Sequence, residues 1–467
     1  MSRGFTGWCL AGGLVLMGCG QTTVEPKSPP KVTASTATAA TSLSVEDFVI
    51  GEPLRFENLT IFPVSSRVLK ADDRFITLDE GLKAGTVEIR ELGGAFEPRQ
   101  PNAAANQAAI PASDDGIEAP VSAITPHQQD EPFEEPLRQR DTVVSPRNDG
   151  QAATPFEDVL ANDLPNGQAS NDVNSLIVVN HSDKPLYLMP GEVIIGGSQD
   201  RTIGNELVIA PRSQPTRVPV YCVEHGRWGM KGAVETLAQI QSAAGSATLD
   251  DSVAVSPSAD LATLAQEADR GKFVASVGQL GKSARVAVQS DKSQSAVWKE
   301  VAKTNSQSGV QSDSGAFTAN YVASLTITRL EPYLEHLQGP VTDLEQPVGV
   351  LVAINGKIES IDVFESTPLF KKLWPKLLKS YALDAANARD DSAEDTAPEC
   401  TLTAARTFFT EALQAKVESS EQEHGVALTK RDSQHVISFT SHVDQVAAPS
   451  AMGGFGGGGV HFSGYAK

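Results

Sequence analysis

The chain has 467 residues, which allows about three domains or one large domain with insertions, and only 40% are hydrophobic, so we expect part of it to be unpacked. It carries 38 Lys and Arg against 58 Asp and Glu, a net charge of −20. Because nucleic-acid affinity depends on basic side chains that neutralise phosphates, this balance argues against a nucleic-acid partner.

Residues 1–18 have the features of a bacterial lipoprotein signal peptide. Arg3 supplies a positive start, and an apolar run follows from Trp8 to Met17. This run is too short for a transmembrane helix. It ends in Leu16-Met17-Gly18-Cys19, which resembles a lipobox, so we expect acyl chains on Cys19 to anchor the protein in the membrane. An ordinary cleaved signal peptide with an incidental cysteine is the alternative.

The residue after Cys19 bears on the location of the protein. Gly20 favours the outer membrane over the inner one, so we expect an extracytoplasmic protein on the periplasmic face of the envelope. Residues 19–45 are rich in Thr, Ala, Pro and Ser and predict a flexible tether, because they cannot bury enough apolar surface to offset ordering.

Two stretches of alternating apolar residues, separated by an insertion, predict a single discontinuous globular domain. Residues 46–95 form its first part, with short strands and a capped helix near Thr77. Residues 96–170 hold ten of the 28 prolines of the chain and have no sustained period, which predicts a disordered insertion. Residues 171–445 form the main part of the domain.

The main part begins with short strands and tight turns in series between Leu176 and Val223. This pattern predicts an antiparallel meander, sandwich or barrel. Asn355-Gly356 between two alternating runs predicts a hairpin from Val348 to Phe364, because a type I′ turn needs two residues with positive φ. The predicted fold class is therefore α+β, with an antiparallel β-rich core and a few packed helices.

Helices follow the hairpin. Ser366 or Thr367 is expected to cap a helix that carries Pro368 in its first turn and an apolar stripe from Phe370 to Tyr381. A further helix is predicted from Ala404 to Val417. Residues 446–467 contain a run of glycines and predict a flexible tail.

Two cysteines, Cys222 and Cys400, remain besides Cys19 once the signal peptide is removed. In an oxidising compartment they could form a disulfide, and two buried free thiols are the alternative. Cys222 could also act as a nucleophile beside His225. However, strand alternation would place these residues on opposite faces, so a buried structural thiol is favoured.

Polar residues cluster around the predicted meander, at strand ends where sites tend to form. In a functional interpretation, His225 is a general base or a ligand, Glu224 or Glu192 orients it, and Arg201 and Arg227 clamp an anion. The simpler interpretation makes the same residues ion pairs that stabilise turns. The candidate ligand-binding residues are Glu192, Gln199, Asp200 and Arg201.

No spacing typical of a metal or cofactor site occurs in the chain. Cys-x-x-Cys and His-Glu-x-x-His are absent, and the eight histidines are scattered. Gly-x-Ser-x-Gly is also absent, which argues against an esterase elbow. We therefore expect no metal ion and no cofactor.

Two segments resemble a bacterial family. They are PLYLMPGEVIIGGSQDRTIG…VPVYCVEHGRW and VGVLVAINGKIESIDVF…LFKKLWPKLLKSYALDA, and they resemble the ARG and rhodanese–phosphatase-superfamily-associated protein domain. The resemblance covers about 46–95, 173–301 and 318–415. It implies a shared fold, and it implies no particular reaction or catalytic residues.

These observations lead to one main hypothesis and two alternatives. The main hypothesis is a lipid-anchored envelope protein whose globular domain binds a ligand or partner without catalysis. The partners would be the membrane, through Cys19, and an envelope protein or small anionic ligand. The first alternative is an extracytoplasmic hydrolase of anionic or ester substrates that uses His225, Glu224, Arg201 and Arg227. The second is a purely structural envelope protein.

Overall fold

The computed structural model describes residues 44–68, 71–91, 174–226, 254–255, 261–269, 271–321, 323–389, 399–423, 425–443 and 459–467. All of them belong to one compact unit, residues 41–467. The expected signal peptide, Cys19, nearly all of the tether and the insertion 96–170 lie outside the described residues. Within the described part, no helix has the length and apolar character that crossing a bilayer requires.

The strands form three sheets. In chain order they are β1 (Phe48–Ile50), β2 (Leu54–Phe56), β3 (Leu59–Ser66), β4 (Ile76–Thr77), β5 (Val87–Glu91), β6 (Ser175–Asn180), β7 (Leu186–Leu188), β8 (Glu192–Gly196), β9 (Arg201–Ile203), β10 (Leu207–Ile209), β11 (Thr216–Cys222), β12 (Ala254–Val255), β13 (Phe273–Gln279), β14 (Pro347–Ile354), β15 (Lys357–Phe364), β16 (Lys416–Glu423), β17 (Val426–Asp432), β18 (Val436–Val443) and β19 (Gly459–Ala466).

The helices pack on and between these sheets. They are α1 (Leu78–Lys83), α2 (Leu261–Asp269), α3 (Lys282–Val286), α4 (Gln294–Ser308), α5 (Ser324–Thr342), α6 (Thr367–Ala388) and α7 (Leu402–Gln414). A π-helical turn, Ala287–Asp291, separates α3 from α4. The predicted α+β class with antiparallel sheets is confirmed, although the two-residue β4 pairs in parallel with β7.

The largest sheet has nine strands in the order β1-β3-β14-β15-β19-β18-β17-β16, with β2 added beside β3. At its centre, β14 and β15 form the predicted hairpin. Asn355 has φ 49° and Gly356 has φ 73°, so both turn residues adopt the positive φ that the sequence pattern predicts.

The prediction of a flexible tail is wrong for Gly459–Ala466. These residues form β19, which pairs with β15 on one side and β18 on the other. Val460, Phe462 and Tyr465 are buried. Their apolar side chains supply the stabilisation that the preceding glycine run cannot, and β19 is therefore part of the globular domain.

The second sheet is barrel-like. Its seven strands lie in the order β12-β13-β8-β9-β11-β6-β5. The two ends approach each other, because the Glu91 N–H donates to the Gly271 carbonyl at 2.9 Å and Arg90 bridges to Lys272. Apolar side chains such as Ile89, Val178, Ile194, Ile203, Val220 and Phe273 form a buried cluster that fills its interior.

Helix α6 lies between the two large sheets. It packs against β14 of the nine-stranded sheet and against β13 of the barrel-like sheet. Ser366 caps it, since its Oγ accepts the Leu369 N–H at 3.3 Å, and Pro368 lies in the first turn as predicted. Because α5 also packs on it, the helix is buried well beyond its predicted apolar stripe and also buries Lys376 and Lys379.

Helix α7 covers the other face of the nine-stranded sheet. Its Phe409 packs against Phe462 of β19, with ring centroids 5.8 Å apart. The sheet is therefore buried on both faces in this region. This explains why the sequences of the central strands are continuous apolar runs.

Replacement of Phe462 by Ala tests the position of β19. Phe462 is 1% exposed, so we expect Phe462→Ala to lower the free energy of unfolding by about 3–5 kcal/mol in urea denaturation. Val417→Ala on β16 is the control, because Val417 is 53% exposed and its loss should change stability by about 0.5 kcal/mol or less. Equal unfolding midpoints for the two variants would contradict a packed β19.

Candidate functional site

The structure brings four of the predicted site residues together at one end of the barrel-like sheet. Gln199 and Arg201 are buried, and Arg201 Nη1 donates to Gln199 Oε1 at 2.9 Å. Glu224 Oε2 accepts the backbone N–H of Asp200 at 3.2 Å. Gln199, Asp200, Arg201 and Glu224 therefore form one buried polar cluster and not an open site.

Residues distant in sequence close this cluster. Glu91 Oε1 accepts both the backbone N–H of Ser198, at 2.8 Å, and its Oγ, at 2.6 Å. The same oxygen lies 3.8 Å from Arg201 Nη2. Thr318 Oγ1 donates to Asp200 Oδ2 at 2.8 Å. Gly197 permits the approach of Glu91, because a Cβ there would lie 2.6 Å from Glu91 Oε1.

His225 lies in a different environment. It is exposed, and its ring packs edge-on against Trp298 with centroids 4.5 Å apart. Glu224, the adjacent residue, is buried. The structure therefore does not form the expected pair of a histidine base and an orienting carboxylate. Arg227 lies outside the described residues.

Cys222 and Cys400 are both free and buried, so the alternative of a disulfide between them is wrong for this structure. Burial raises the pKa of the Cys222 thiol. Its backbone is held by Gln294, which donates to the Cys222 carbonyl and accepts the Cys222 N–H, both at 2.8 Å. A protonated thiol in this setting is a packing group.

Glu192 belongs to a second cluster, between α6 and the barrel-like sheet. Lys376 Nζ lies 2.7 Å from Glu192 Oε1, 2.5 Å from Asp79 Oδ1 and 2.6 Å from Ser276 Oγ. Burial alone would lower the pKa of Lys376, but the charges of Asp79 and Glu192 raise it. Burial raises the pKa of Glu192. Glu192 is therefore the partner of a buried cation.

A third buried cluster, which we call the Asp362 network, was not predicted. Arg285 donates to Asp362 through two bonds, Nη1–Oδ2 at 2.9 Å and Nη2–Oδ1 at 2.6 Å. His461 Nε2 lies 3.1 Å from Asp362 Oδ1, and its Nδ1 lies 3.2 Å from Glu206 Oε2. These bonds connect α3, β15, β19 and the segment between β9 and β10.

Hydroxyl groups complete the Asp362 network. Tyr381 of α6 donates to Asp362 Oδ2 at 2.5 Å. Tyr187 and Ser441 donate to Glu206 Oε1 at 2.7 and 2.8 Å. Phe364 stacks on the His461 ring with centroids 4.3 Å apart. Every carboxylate of the network thus has partners of opposite charge and hydroxyl donors.

Charge balance determines the protonation of His461. Burial by itself lowers the pKa of His461, but the charge of Glu206 and hydrogen bonds to both carboxylates raise it to about 9. The charge of Arg285 lowers the pKa of Asp362 although burial opposes this. At neutral pH the network therefore holds two cations and two carboxylates. A neutral imidazole would leave one buried negative charge uncompensated.

The sequence signal for these residues is a charged side chain inside an apolar run. Asp362 lies between Ile361 and Val363, and Lys376 lies between apolar helix positions. His461 likewise lies between Val460 and Phe462. Such residues are expected to be buried and therefore paired. Their partners come from distant segments, so the sequence does not identify them.

Among the described residues, no group of three or more His, Cys, Asp or Glu side chains is arranged to hold a metal ion.

A family model for the ARG and Rhodanese-Phosphatase-superfamily-associated Protein domain matches residues 47–99 and 166–451, more than half of the chain. No curated protein and no solved structure matches the chain. The family description names an association with a phosphatase superfamily. It assigns no catalytic role to any residue of this chain.

The pKa of His461 predicts a pH dependence of stability. A folded pKa of about 9 exceeds the unfolded value of about 6.5, so His461 contributes about 3 kcal/mol that is complete below about pH 6.5 and is lost as the pH rises through about 9. The free energy of unfolding of the wild type, minus that of His461→Gln, should fall by this amount over that range in urea denaturation.

Two checks accompany this measurement. Val417→Ala, which removes an exposed side chain and no titratable group, should follow the wild-type pH profile. An NMR titration of the wild type reports the His461 imidazole directly, even if His461→Gln does not fold. An imidazole pKa below about 6.5 would contradict a charged His461.

Proposed function

The chain belongs to the ARG and Rhodanese-Phosphatase-superfamily-associated Protein domain family, and we propose that this member is a lipid-anchored protein of the bacterial cell envelope. Its globular domain binds a partner or ligand and catalyses no reaction. The periplasmic face of the outer membrane is the proposed location.

The anchor rests on the sequence Leu16-Met17-Gly18-Cys19 after a short apolar run. Each buried methylene of an acyl chain contributes about 0.8 kcal/mol, so two or three chains suffice for stable attachment. Gly20 is the residue that favours the outer membrane. The Thr-, Ala- and Pro-rich composition of residues 19–45 suits a spacer between the lipid and the domain.

Binding is favoured over hydrolysis by the surroundings of the candidate catalytic residues. One observation carries this preference: the side chains of His225 and Glu224 lie in different environments. His225 is exposed and packs against Trp298, whereas Glu224 is buried and accepts the backbone N–H of Asp200. Arg201 is also buried and donates to Gln199, so it does not face the solvent as an anion clamp would. A general base must lie within hydrogen-bond reach of its partners.

Cys19→Ser tests the anchor. Because serine cannot carry the thioether-linked lipid, we expect the variant to leave the membrane fraction, as followed by fractionation and mass spectrometry of the N-terminus. Cys9→Ser is the matched control, since Cys9 lies within the predicted signal peptide and its loss should leave membrane attachment unchanged. Unchanged partitioning of Cys19→Ser would refute lipidation.

A panel of carboxylic and phosphate esters tests the hydrolase alternative. We expect turnover no faster than in buffer for the wild type and for His225→Ala. His336→Ala is the matched control, because His336 is also an exposed histidine in contact with an aromatic ring, that of Phe56. Turnover that is lost in His225→Ala and retained in His336→Ala would establish the hydrolase and reject the proposal.

A further inference from the structure

A groove of 770 Å³ opens on the surface between α7 and the strands β16 and β17. Its size lies in the range that small ligands or short peptide segments occupy. Side chains of α7 form one wall, and the ends of β16 and β17 form the other. We call it the α7 groove, and its argument uses Arg406, Glu411, Gln414, Lys416, Asp432 and Ser433.

Both carboxylates of the α7 groove already have partners. Ser433 Oγ donates to Glu411 Oε1 at 2.7 Å, and His435 Nδ1 lies 3.1 Å from the same oxygen. The hydrogen bond from Ser433 lowers the pKa of Glu411, which therefore stays ionised. The Asp432 carboxylate pairs with Lys467.

The two remaining cations have no such partners. Within the described residues, the side chains of Arg406 and Lys416 make no hydrogen bond or ion pair, although Lys416 lies opposite Asp432 in the strand register. Since Glu411 is bonded to Ser433 and His435 and Asp432 pairs with Lys467, Arg406 and Lys416 are the charged residues of the groove lining whose charge stays unpaired among the described residues. The uncompensated charge of the groove is therefore positive, on a chain whose net charge is −20.

The spacing of the cations indicates the shape of the ligand. Arg406 and Gln414 lie eight residues apart on α7, a rise of about 12 Å, and Lys416 lies beyond. An extended peptide covers the stretch from Arg406 to Gln414 with about four residues, and the long side chain of Lys416 lines the same groove. Residues that are four apart in an extended chain point to the same side, so two acidic side chains at this spacing could meet both cations.

The neighbouring sheet edge favours a peptide over a compact ligand. β16 ends the nine-stranded sheet, and its outer edge has no strand partner among the described residues. Backbone groups of such an edge can pair with an added strand. Beyond Lys416 the strand carries Glu418, Glu421 and Glu423, which already contact Lys430, Lys292 and Asn205, so β16 itself brings no further cation for acidic residues of a ligand.

We propose that the α7 groove binds an extended segment of a partner protein with two acidic side chains about four residues apart, held by Arg406 and Lys416. This deepens the proposed binding function and rests on it. Acidic residues of the segment are confined to the groove, and the part that continues beside β16 is neutral or basic.

Fluorescence anisotropy with a labelled peptide tests this proposal on the full-length protein in detergent. The probe is Glu-Ser-Ser-Ser-Glu, and Lys-Ser-Ser-Ser-Lys is the reversed-charge control. Exposed ion pairs are modest, so we expect Arg406→Gln and Lys416→Gln each to weaken binding about fivefold. Their effects should multiply in the double variant to about 25-fold, because the sites are distant.

Lys299→Gln on α4 is the matched control, since Lys299 is an exposed lysine outside the groove and its replacement removes the same charge. Peptide binding should not change in this variant. Absence of binding, or equal binding by the wild type and the double variant, would overturn the proposal.

Competition with glutarate separates a peptide site from a site for small dicarboxylates. Displacement of the peptide by glutarate at equal affinity would also overturn the proposal, because a single small ligand would then suffice. If the peptide does not bind but Cys19→Ser is released from the membrane fraction, the assignment of the groove is rejected. The proposal of a lipid-anchored binding protein then remains, because it does not depend on this groove.

Discussion

The buried ion pairs among Arg285, Asp362, His461 and Glu206 constrain the whole core, because each charge is costly without its partners. They join the nine-stranded sheet to α3 and to the segment between β9 and β10. With His461 protonated, the four charges cancel. Removal of one member would leave an unpaired charge in the interior and lower the free energy of unfolding by about 3–5 kcal/mol. The network therefore requires these elements to meet in one arrangement.

Buried polar contacts of helix α6 constrain the core in the same way. Lys376 reaches Glu192 and Asp79 on the barrel-like side, while Tyr381 reaches Asp362 on the other. Burial, with a contribution from the charge of Lys376, lowers the pKa of Lys379 to about 7. Its Nζ lies over the Tyr321 ring, 4.3 Å from the centroid. The helix thus ties the two sheets together through polar contacts as well as through apolar packing.

The sequence placed Gln199, Asp200, Arg201 and Glu224 in one neighbourhood, and the structure brings them together. It did not indicate that the neighbourhood is closed, since closure depends on Glu91 and Thr318 from other segments. Those contacts span more than a hundred residues, and local patterns carry no information about them. The separation of His225 from Glu224 has a similar cause, because the chain leaves β11 there and packs His225 on Trp298 of α4.

Local chemistry alone determined the α+β class, the Asn355-Gly356 hairpin and the cap of α6, because positive-φ turns, capping hydroxyls and apolar periods act over a few residues. Only the tertiary structure decided that α6 is enclosed by two sheets, that β19 lies inside the larger one and that the charged residues of apolar runs meet in balanced clusters. These features depend on burial and charge compensation between distant segments. They arise only when the whole chain has folded.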